Sequence, residues 1–356
     1  MALYRELEGN EFPVTEKSSG KNSDIVDSVL INDWHPVAHI DTLEDGVPCS
    51  ARLLEVDLVI WRSSTGVHVW KDQCPHRGAK LSLGSVCENR LVCAYHGWEY
   101  QVDGACVRYP AHGHQKPSSR AKATTYAVEQ KYGLIWACLG TPANDIPPFP
   151  EIDDDTHRLY FGGQFFYNTS AQRGIENFLD FSHFPFVHAG YLGEQPHTEI
   201  KDYDIEVSET GLAVRNVKAW QPKPTNSIDC EGMEVDYEYY VNRPMTARLV
   251  KRMGIKNRDE TEAVESIMLA MTPVEPDKAI AWALLTSNYD DALSDADVKA
   301  FTKLIIGQDI RIVESQRPKL LPLKIRDEIH LQSDKSAVAY RRWLKSIGVT
   351  FGTTAG

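Results

Sequence analysis

The amino-acid sequence predicts an α+β protein in two parts, an all-β domain over residues 29–140 and a larger α+β domain over residues 158–356, joined by a linker at 141–157. Three observations predict it. In the first part, short apolar or alternating runs recur between Gly and Ser clusters, as in an all-β domain of short strands. In the second part, strand-like segments are interrupted by stretches of helical spacing with stop signals. Between them, TPANDIPPFPEIDDD (Thr141–Asp155) ends regular structure with its prolines and an acidic run.

Taken in order, residues 1–28 are polar, with KSSGKNS at Lys17–Ser23, and read as a tail or peripheral arm. Strand-like runs follow at Trp34–Ala38, Leu58–Trp61 and Val67–Trp70. His35, His39 and His68 lie in or beside these runs with no partner at ligand spacing, and read as satisfied, half-buried histidines. His112 and His114 read as part of a solvated loop. In the second part the strand-like segments are Leu159–Phe166, Tyr203–Val207, Val235–Val241, Ala263–Thr272 and Ala279–Ser287. Helical spacing surrounds Glu176–His183, recurs over Ser294–Gln316 until Pro318 ends it, and returns in a closing helix at Ala337–Ile347. The charged run KRMGIKNR (Lys251–Arg258) reads as a solvated loop, or alternatively as a docking patch for a redox partner.

Composition narrows the function. Hydrophobic residues at 42% and charged residues at 25% are ordinary for a soluble globular protein. A formal charge of −12 argues against nucleic acid or an anionic membrane as partner. The apolar run Leu134–Gly140 is too short for a membrane span, and MALYRELEGNEF has no signal-peptide character, so a cytoplasmic location is expected. Of the seven cysteines, Cys49, Cys87, Cys106, Cys138 and Cys230 show no pairing pattern and read as free thiols.

The other two cysteines carry chemistry. Cys74-Pro-His76 and Cys93-Ala-Tyr-His96 each offer a thiolate and an imidazole. Two Cys and two His can bind zinc. A Rieske [2Fe-2S] cluster instead takes both thiolates on one iron and both imidazoles on the other. Gly78 and Gly97, which let backbone N–H groups approach inorganic sulfur, and Trp98, which can shield a cluster from water, favour the cluster.

A second site follows in NFLDFSHFPFVH. Asn177, Asp180 and His183 are three apart, so on a helix they form one polar stripe in an otherwise apolar segment. Buried imidazole and carboxylate there are costly unless they coordinate or pair. Pro185 disturbs the helix and lets His188 join His183. A 2-His-1-carboxylate iron site needs one carboxylate more. Asp309, on a face with Ile305, Ile312 and Val313, is the first candidate, and Glu314, on another face, the second.

CPHRG followed by CAYHGW resembles the Rieske domain of the Rieske non-haem iron oxygenases. N-x-x-D-x-x-H-x-x-x-x-H with a distant Asp on a late helix resembles their iron motif, and the likeness runs from Trp34 to near the end. The resemblance implies an N-terminal all-β Rieske domain followed by a helix-grip catalytic domain with an antiparallel sheet. It makes Cys74, His76, Cys93 and His96 the cluster ligands, and His183, His188 and Asp309 the ligands of a mononuclear Fe(II). Asn177 opens the catalytic motif. Asp180 becomes the carboxylate that carries electrons between an iron-ligand His and a cluster-ligand His, across a subunit interface in a homotrimer. The implied partners are O2, a small-molecule substrate and an NAD(P)H-dependent reductase or ferredoxin. The segments YGLIWACLGTPANDIP and ESQRP resemble a monooxygenase branch holding saxitoxin-tailoring hydroxylases and purine N-demethylases. AVAYRRWLKSIGVTFG is most like the former. C–H hydroxylation of a small, polar, nitrogen-rich molecule is therefore expected, with oxidative N- or O-demethylation as the alternative. A Rieske electron carrier would not need residues 158–356, and a zinc-stabilised binding protein would be colourless.

Overall fold

The computed structural model describes residues 27–224, 232–257, 259–289 and 294–354. The polar tail expected at 1–28 lies outside these up to residue 26, as does Cys230. Asp27 caps a short helix, α1 (Ser28–Ile31), and its other carboxylate oxygen accepts from Thr350 and Phe351 N–H, tying the two ends of the described chain together.

Strands β1 (His35–His39), β2 (Cys49–Leu53), β3 (Val56–Ser63) and β4 (Gly66–Lys71) are followed by the short β5 (Ser85–Cys87), β6 (Arg90–Val92), β7 (Glu99–Tyr100) and β8 (Cys106–Arg108). Two more, β9 (Thr125–Lys131) and β10 (Leu134–Cys138), complete the first region. They form a six-stranded sheet in the order β1-β10-β9-β4-β3-β2 and a four-stranded sheet β5-β6-β7-β8. Its histidines make contacts where the sequence places them, but His35 is fully buried, not half-buried, and its Nδ1 has no hydrogen-bond partner among the described residues. His35 Nε2 is 2.8 Å from the Leu30 carbonyl, His68 Nε2 is 2.8 Å from Ser63 Oγ, and His39 stacks on Phe161.

The second region is one seven-stranded antiparallel sheet. Strand β11 (Arg158–Tyr167) pairs with the last strand of a meander made by β12 (Asp204–Ser208), β13 (Gly211–Gln221), β14 (Met233–Arg243), β15 (Thr246–Lys256), β16 (Glu262–Glu275) and β17 (Lys278–Ser287). Helix α2 (Ala171–Phe178) and a single turn, α3 (Phe184–Val187), precede the meander. The long α4 (Asp295–Val313) lies along β11, and α5 (Lys335–Ile347) lies against β12 and β13. Strand β14 alternates, with Val235, Tyr237, Tyr239 and Val241 buried between Glu234, Asp236 and Glu238, because one face meets solvent. Strand β16 is buried almost throughout, because its far face packs with Trp136 of the first sheet and Trp34 just before β1 in a shared core. Ile146 and Phe149 of the proline-rich segment are buried in that same core.

Two expectations are corrected here, and two strands are added. The run read as a loop is strand over Lys251–Lys256, the end of β15, and Lys251 is 5% exposed; Arg258 lies outside the described residues. β13 and most of β15 escaped notice because a bulge at Val214/Val217 and a charged tail break their alternation. The helix expected around Glu176–His183 stops at Phe178, so Asn177, Asp180 and His183 do not share one helical stripe. Among the described residues no helix is long and apolar enough to cross a membrane.

Candidate active site

The first ligand pair sits between β4 and β5 and the second between β6 and β7. The two loops repeat each other's hydrogen bonds. Gly78 N–H donates to Cys74 O and Gly97 N–H to Cys93 O, both at 2.9 Å; Cys74 N–H donates to Ala79 O and Cys93 N–H to Trp98 O, at 2.8 and 2.9 Å. Each turn needs its glycine, at φ +75° and +66°, a region that costs an L side chain energy. Both cysteines are buried, and the Tyr100 hydroxyl lies 3.0 Å from Cys74 Sγ. The histidines point outward with ring centroids 4.6 Å apart, His76 stacked on Trp98 and His96 exposed. Zinc would need all four donors around one point. A thiol pair with a separate imidazole pair is instead what a Rieske cluster asks for, one pair per iron.

The second site draws on two parts of the chain. His183 and His188 flank α3, as its N-cap and C-cap, and Pro185 occupies the first turn, where its missing N–H costs nothing. Thus Pro185 starts the turn that sets the two histidines on one side; it does not break a longer helix. Asp309 reaches them from α4. His183 Nε2 and His188 Nε2 are 3.2 Å apart, and Asp309 Oδ1 lies 3.4 and 3.1 Å from them. Among the described residues these three form the group whose ligand atoms lie within 4.8 Å of one another. Metal–ligand bonds of about 2.1 Å would put donors ~3.0 Å apart on three cis octahedral positions and ~3.4 Å apart on a tetrahedron. Asp309 Oδ1 is buried with no hydrogen-bond partner, so a cation between the three would satisfy it. The residues present therefore fit a 2-His-1-carboxylate metal.

The far nitrogen of His188 is held as well. Its Nδ1 is 2.8 Å from Gln308 Oε1, a contact that places the proton on Nδ1 and leaves the Nε2 lone pair for a metal. His183 Nδ1 is buried without a hydrogen bond and has the Asp180 carboxylate beside it at 3.3 Å as a neighbouring charge. Asp180 Oδ1 meanwhile accepts from the Ser182 N–H and hydroxyl, at 2.7 and 2.6 Å. Burial works against charge on His183, but the carboxylates of Asp180 and Asp309 beside it push it up to about 9. Burial likewise opposes ionisation of Asp309, yet both histidines pull it down to about 2.

Glu314, the second candidate carboxylate, is elsewhere: it accepts from Asn168 backbone and side-chain N–H groups at 2.7 and 3.0 Å. Ile312, expected on Asp309's inward face, is 49% exposed. The triad opens onto a cavity of about 460 Å³ between α4, α2 and the sheet, with walls that include Ile267, Leu269, Leu285, Phe301 and Ile305. Asn177 lines it.

Comparison with known proteins agrees with this layout. Residues 33–127 match the Rieske [2Fe-2S] domain, and residues 167–349, more than half the chain, match the vanillate O-demethylase oxygenase C-terminal domain. The chain belongs to the Rieske non-haem iron oxygenases. It is 38% identical over 231 residues to the probable methylxanthine N7-demethylase NdmC of Pseudomonas sp. (strain TJI-51), covering 65% of this chain and 80% of that protein. It is 29% identical over 342 residues to the methylxanthine N1-demethylase NdmA of Pseudomonas putida, covering 90% and 92%. The structure of Pseudomonas putida CBB5 NdmA with caffeine superposes with a TM-score of 0.75 at 28% identity, covering 89% of this chain and 90% of that one.

As a Rieske oxygenase the protein is an oxidoreductase of the monooxygenase type, with a Rieske [2Fe-2S] domain and the oxygenase domain of a family that binds mononuclear iron. These relatives are N-demethylases, which backs the demethylase alternative over saxitoxin-type hydroxylation. Sequence reasoning missed Gln308 and Tyr100, whose neighbours Asp309 and Trp98 drew the attention. It also missed Lys251 and Glu265, which line the cavity from strands with no motif, and Tyr289, which lines it just past the end of β17.

Proposed function

We propose that the protein removes a methyl group oxidatively from nitrogen in a small methylated heterocycle. The observation that carries this reading is the His183–His188–Asp309 triad facing a mainly apolar cavity of about 460 Å³, on a chain whose relatives are methylxanthine N-demethylases. Bound ferrous iron, held by these three residues, supplies the activation of O2. The chain does the rest. Gln308 fixes the His188 ring, the Asp180 carboxylate stands beside His183, and the apolar wall excludes water and positions the methyl group. With two electrons and two protons, N–CH3 and O2 give N–CH2OH and water. The hydroxymethyl group then leaves as formaldehyde while the nitrogen regains a proton.

The electrons come from a reductase or ferredoxin through the cluster held by Cys74, His76, Cys93 and His96. Asp180, whose side chain is 37% exposed behind His183, is the bridge to a neighbour's cluster in a homotrimer. The free cysteines among the described residues suit a cytoplasmic location.

The test is a single turnover. Protein reduced anaerobically is mixed with O2 and either caffeine or theobromine. Cluster reoxidation is followed optically and formaldehyde is measured. One formaldehyde per substrate consumed is expected. A hydroxylated product that keeps every carbon would return the reading to C–H hydroxylation, and reoxidation indifferent to both compounds would remove methylxanthines as substrates.

A further inference from the structure

The cavity carries a charged group that the demethylation chemistry does not use. Lys251 on β15, Glu265 on β16 and Ser287 on β17 are direct cross-strand neighbours, and all three line the cavity. This row lies by the start of α4. Ser287 pairs with Arg158 across β17 and β11, and Arg158 Nη2 donates to Asp295 Oδ1 at 2.7 Å in the helix's first turn. Asp309 lies near the other end of the same helix, about 20 Å further along its axis. The charged row and the metal triad are thus opposite ends of one cavity.

An ammonium buried in such a place is costly unless its protons are taken. Lys251 Nζ gives one to Pro224 O at 2.5 Å. Its distance to Glu265 Oε1 is 3.7 Å, beyond hydrogen-bond length, while Glu265 Oε2 accepts from the Tyr289 hydroxyl at 2.8 Å. Lys251 therefore keeps donors to spare and Glu265 Oε1 an acceptor, side by side and unable to satisfy each other directly. Their charges cancel, and so do those of Lys223 and Asp297, which also line the cavity. An anionic ligand would meet Glu265 and a cationic one would meet Lys251. A neutral group with N–H beside C=O suits both: N–H donates to Glu265 and C=O accepts from Lys251.

We propose that Lys251 and Glu265, with Tyr289 holding the Glu265 carboxylate, form a polar subsite that takes the N–H/C=O edge of a neutral cyclic amide in the substrate. The proposal rests on the demethylase reading for the reaction, but its test is of binding alone. Calorimetric titration of the metal-loaded protein would use theobromine, with one free N–H between two carbonyls, and caffeine, in which methyl replaces that hydrogen. Theobromine is expected to bind at least about tenfold more tightly. In K251M/E265L, where both charges are gone, the preference should vanish while caffeine binding changes less than about threefold. Should that variant fail to fold, K251M/E265M, which keeps side-chain length close to wild type but has neither the donor nor the acceptor, should also lose the preference. The proposal falls if neither compound binds, if wild type shows no preference, if the preference survives in both variants, or if an aromatic carboxylate binds through Lys251. Theobromine binding that depends on the pair but yields no formaldehyde would keep the subsite and discard the demethylase reading. Formaldehyde from both compounds, unaffected in the variants, would do the reverse.

Discussion

The cluster loops close on themselves within six residues each, from Cys74 to Ala79 and from Cys93 to Trp98, whereas the metal triad joins α3 to a helix more than a hundred residues later. The loops hold their ligands with backbone hydrogen bonds and a glycine, and leave His96 in solvent. The triad has side chains behind its ligands, Gln308 bonded to His188 and the part-exposed Asp180 carboxylate beside His183, and its metal-facing side opens onto a mainly apolar cavity. A centre that must exchange electrons needs an exposed edge; one that must control oxygen needs the opposite. Geometry made from local backbone tolerates exposure. Geometry made from side chains needs packing on every side, and so depends on the whole fold.

The sharpest break between the two regions is to remove one ligand from each. Asp309→Asn should lower product formation by on the order of 1000-fold while the visible spectrum of the cluster is unchanged. Iron should fall from about three to about two per chain. Cys93→Ser should abolish that spectrum and leave about one iron, still bound at the triad. Loss of both centres from either single change would show that the two regions do not fold independently. Next in size is Asp180→Asn, which keeps the shape but weakens the hold on His183 and removes the proposed bridge. Iron content should stay near wild type, and substrate-triggered cluster reoxidation should slow by about 10–100-fold. Unchanged reoxidation would exclude Asp180 from the electron path.

Protonation separates the regions further. In the metal-free protein His183 stays protonated up to about pH 9, whereas iron needs its neutral form. Apparent Fe(II) affinity of the triad should thus rise about tenfold per pH unit until about pH 9. Asp309, pulled down to about 2, is ionised throughout and adds nothing to that slope. The folded-state value of His183 lies above its unfolded one, so its contribution to metal-free stability is complete below about pH 6.5 and is lost as pH rises toward 9. Iron titrations and thermal melts at pH 6, 7.5 and 9 should therefore move in opposite directions. A flat affinity profile would show that the Asp180 and Asp309 contacts do not hold a proton on His183.

What was legible in the sequence follows the same division. Cys74, His76, Cys93 and His96, the proposed cluster ligands, stand out because they and their glycines lie within one short motif. His183 and His188 were legible as residues but not as geometry: their stripe was drawn on a helix that in fact ends at Phe178, and Pro185 proved to begin a turn. Asp309 could be chosen only because the chemistry demands a carboxylate; its face was misjudged at Ile312, since a helix lying against a cavity buries a narrower stripe than one in a core. Lys251 was read as solvated because a charged run ordinarily is. Only the strand pairing that sets it opposite Glu265, with the cavity beneath, makes a buried lysine useful.

Tyr100 gives the smallest effect and the finest comparison. Its hydroxyl lies 3.0 Å from Cys74 Sγ, a side-chain hydrogen bond aimed at a proposed ligand atom, whereas in the triad the far nitrogen of His188 is held by Gln308. A donor to a cluster thiolate favours the reduced, more negative state, so Tyr100→Phe should lower the cluster potential. The net worth of one neutral hydrogen bond, about 1 kcal/mol, corresponds to roughly 40 mV for one electron. Fold, iron content and Fe(II) affinity at the triad should not change, because Tyr100 is buried among the residues of the first sheets and does not line the cavity. A redox titration of the variant that superimposes on wild type would mean the hydroxyl serves packing alone. A shift accompanied by altered iron affinity would mean the two centres are coupled within a single chain and not only between neighbours.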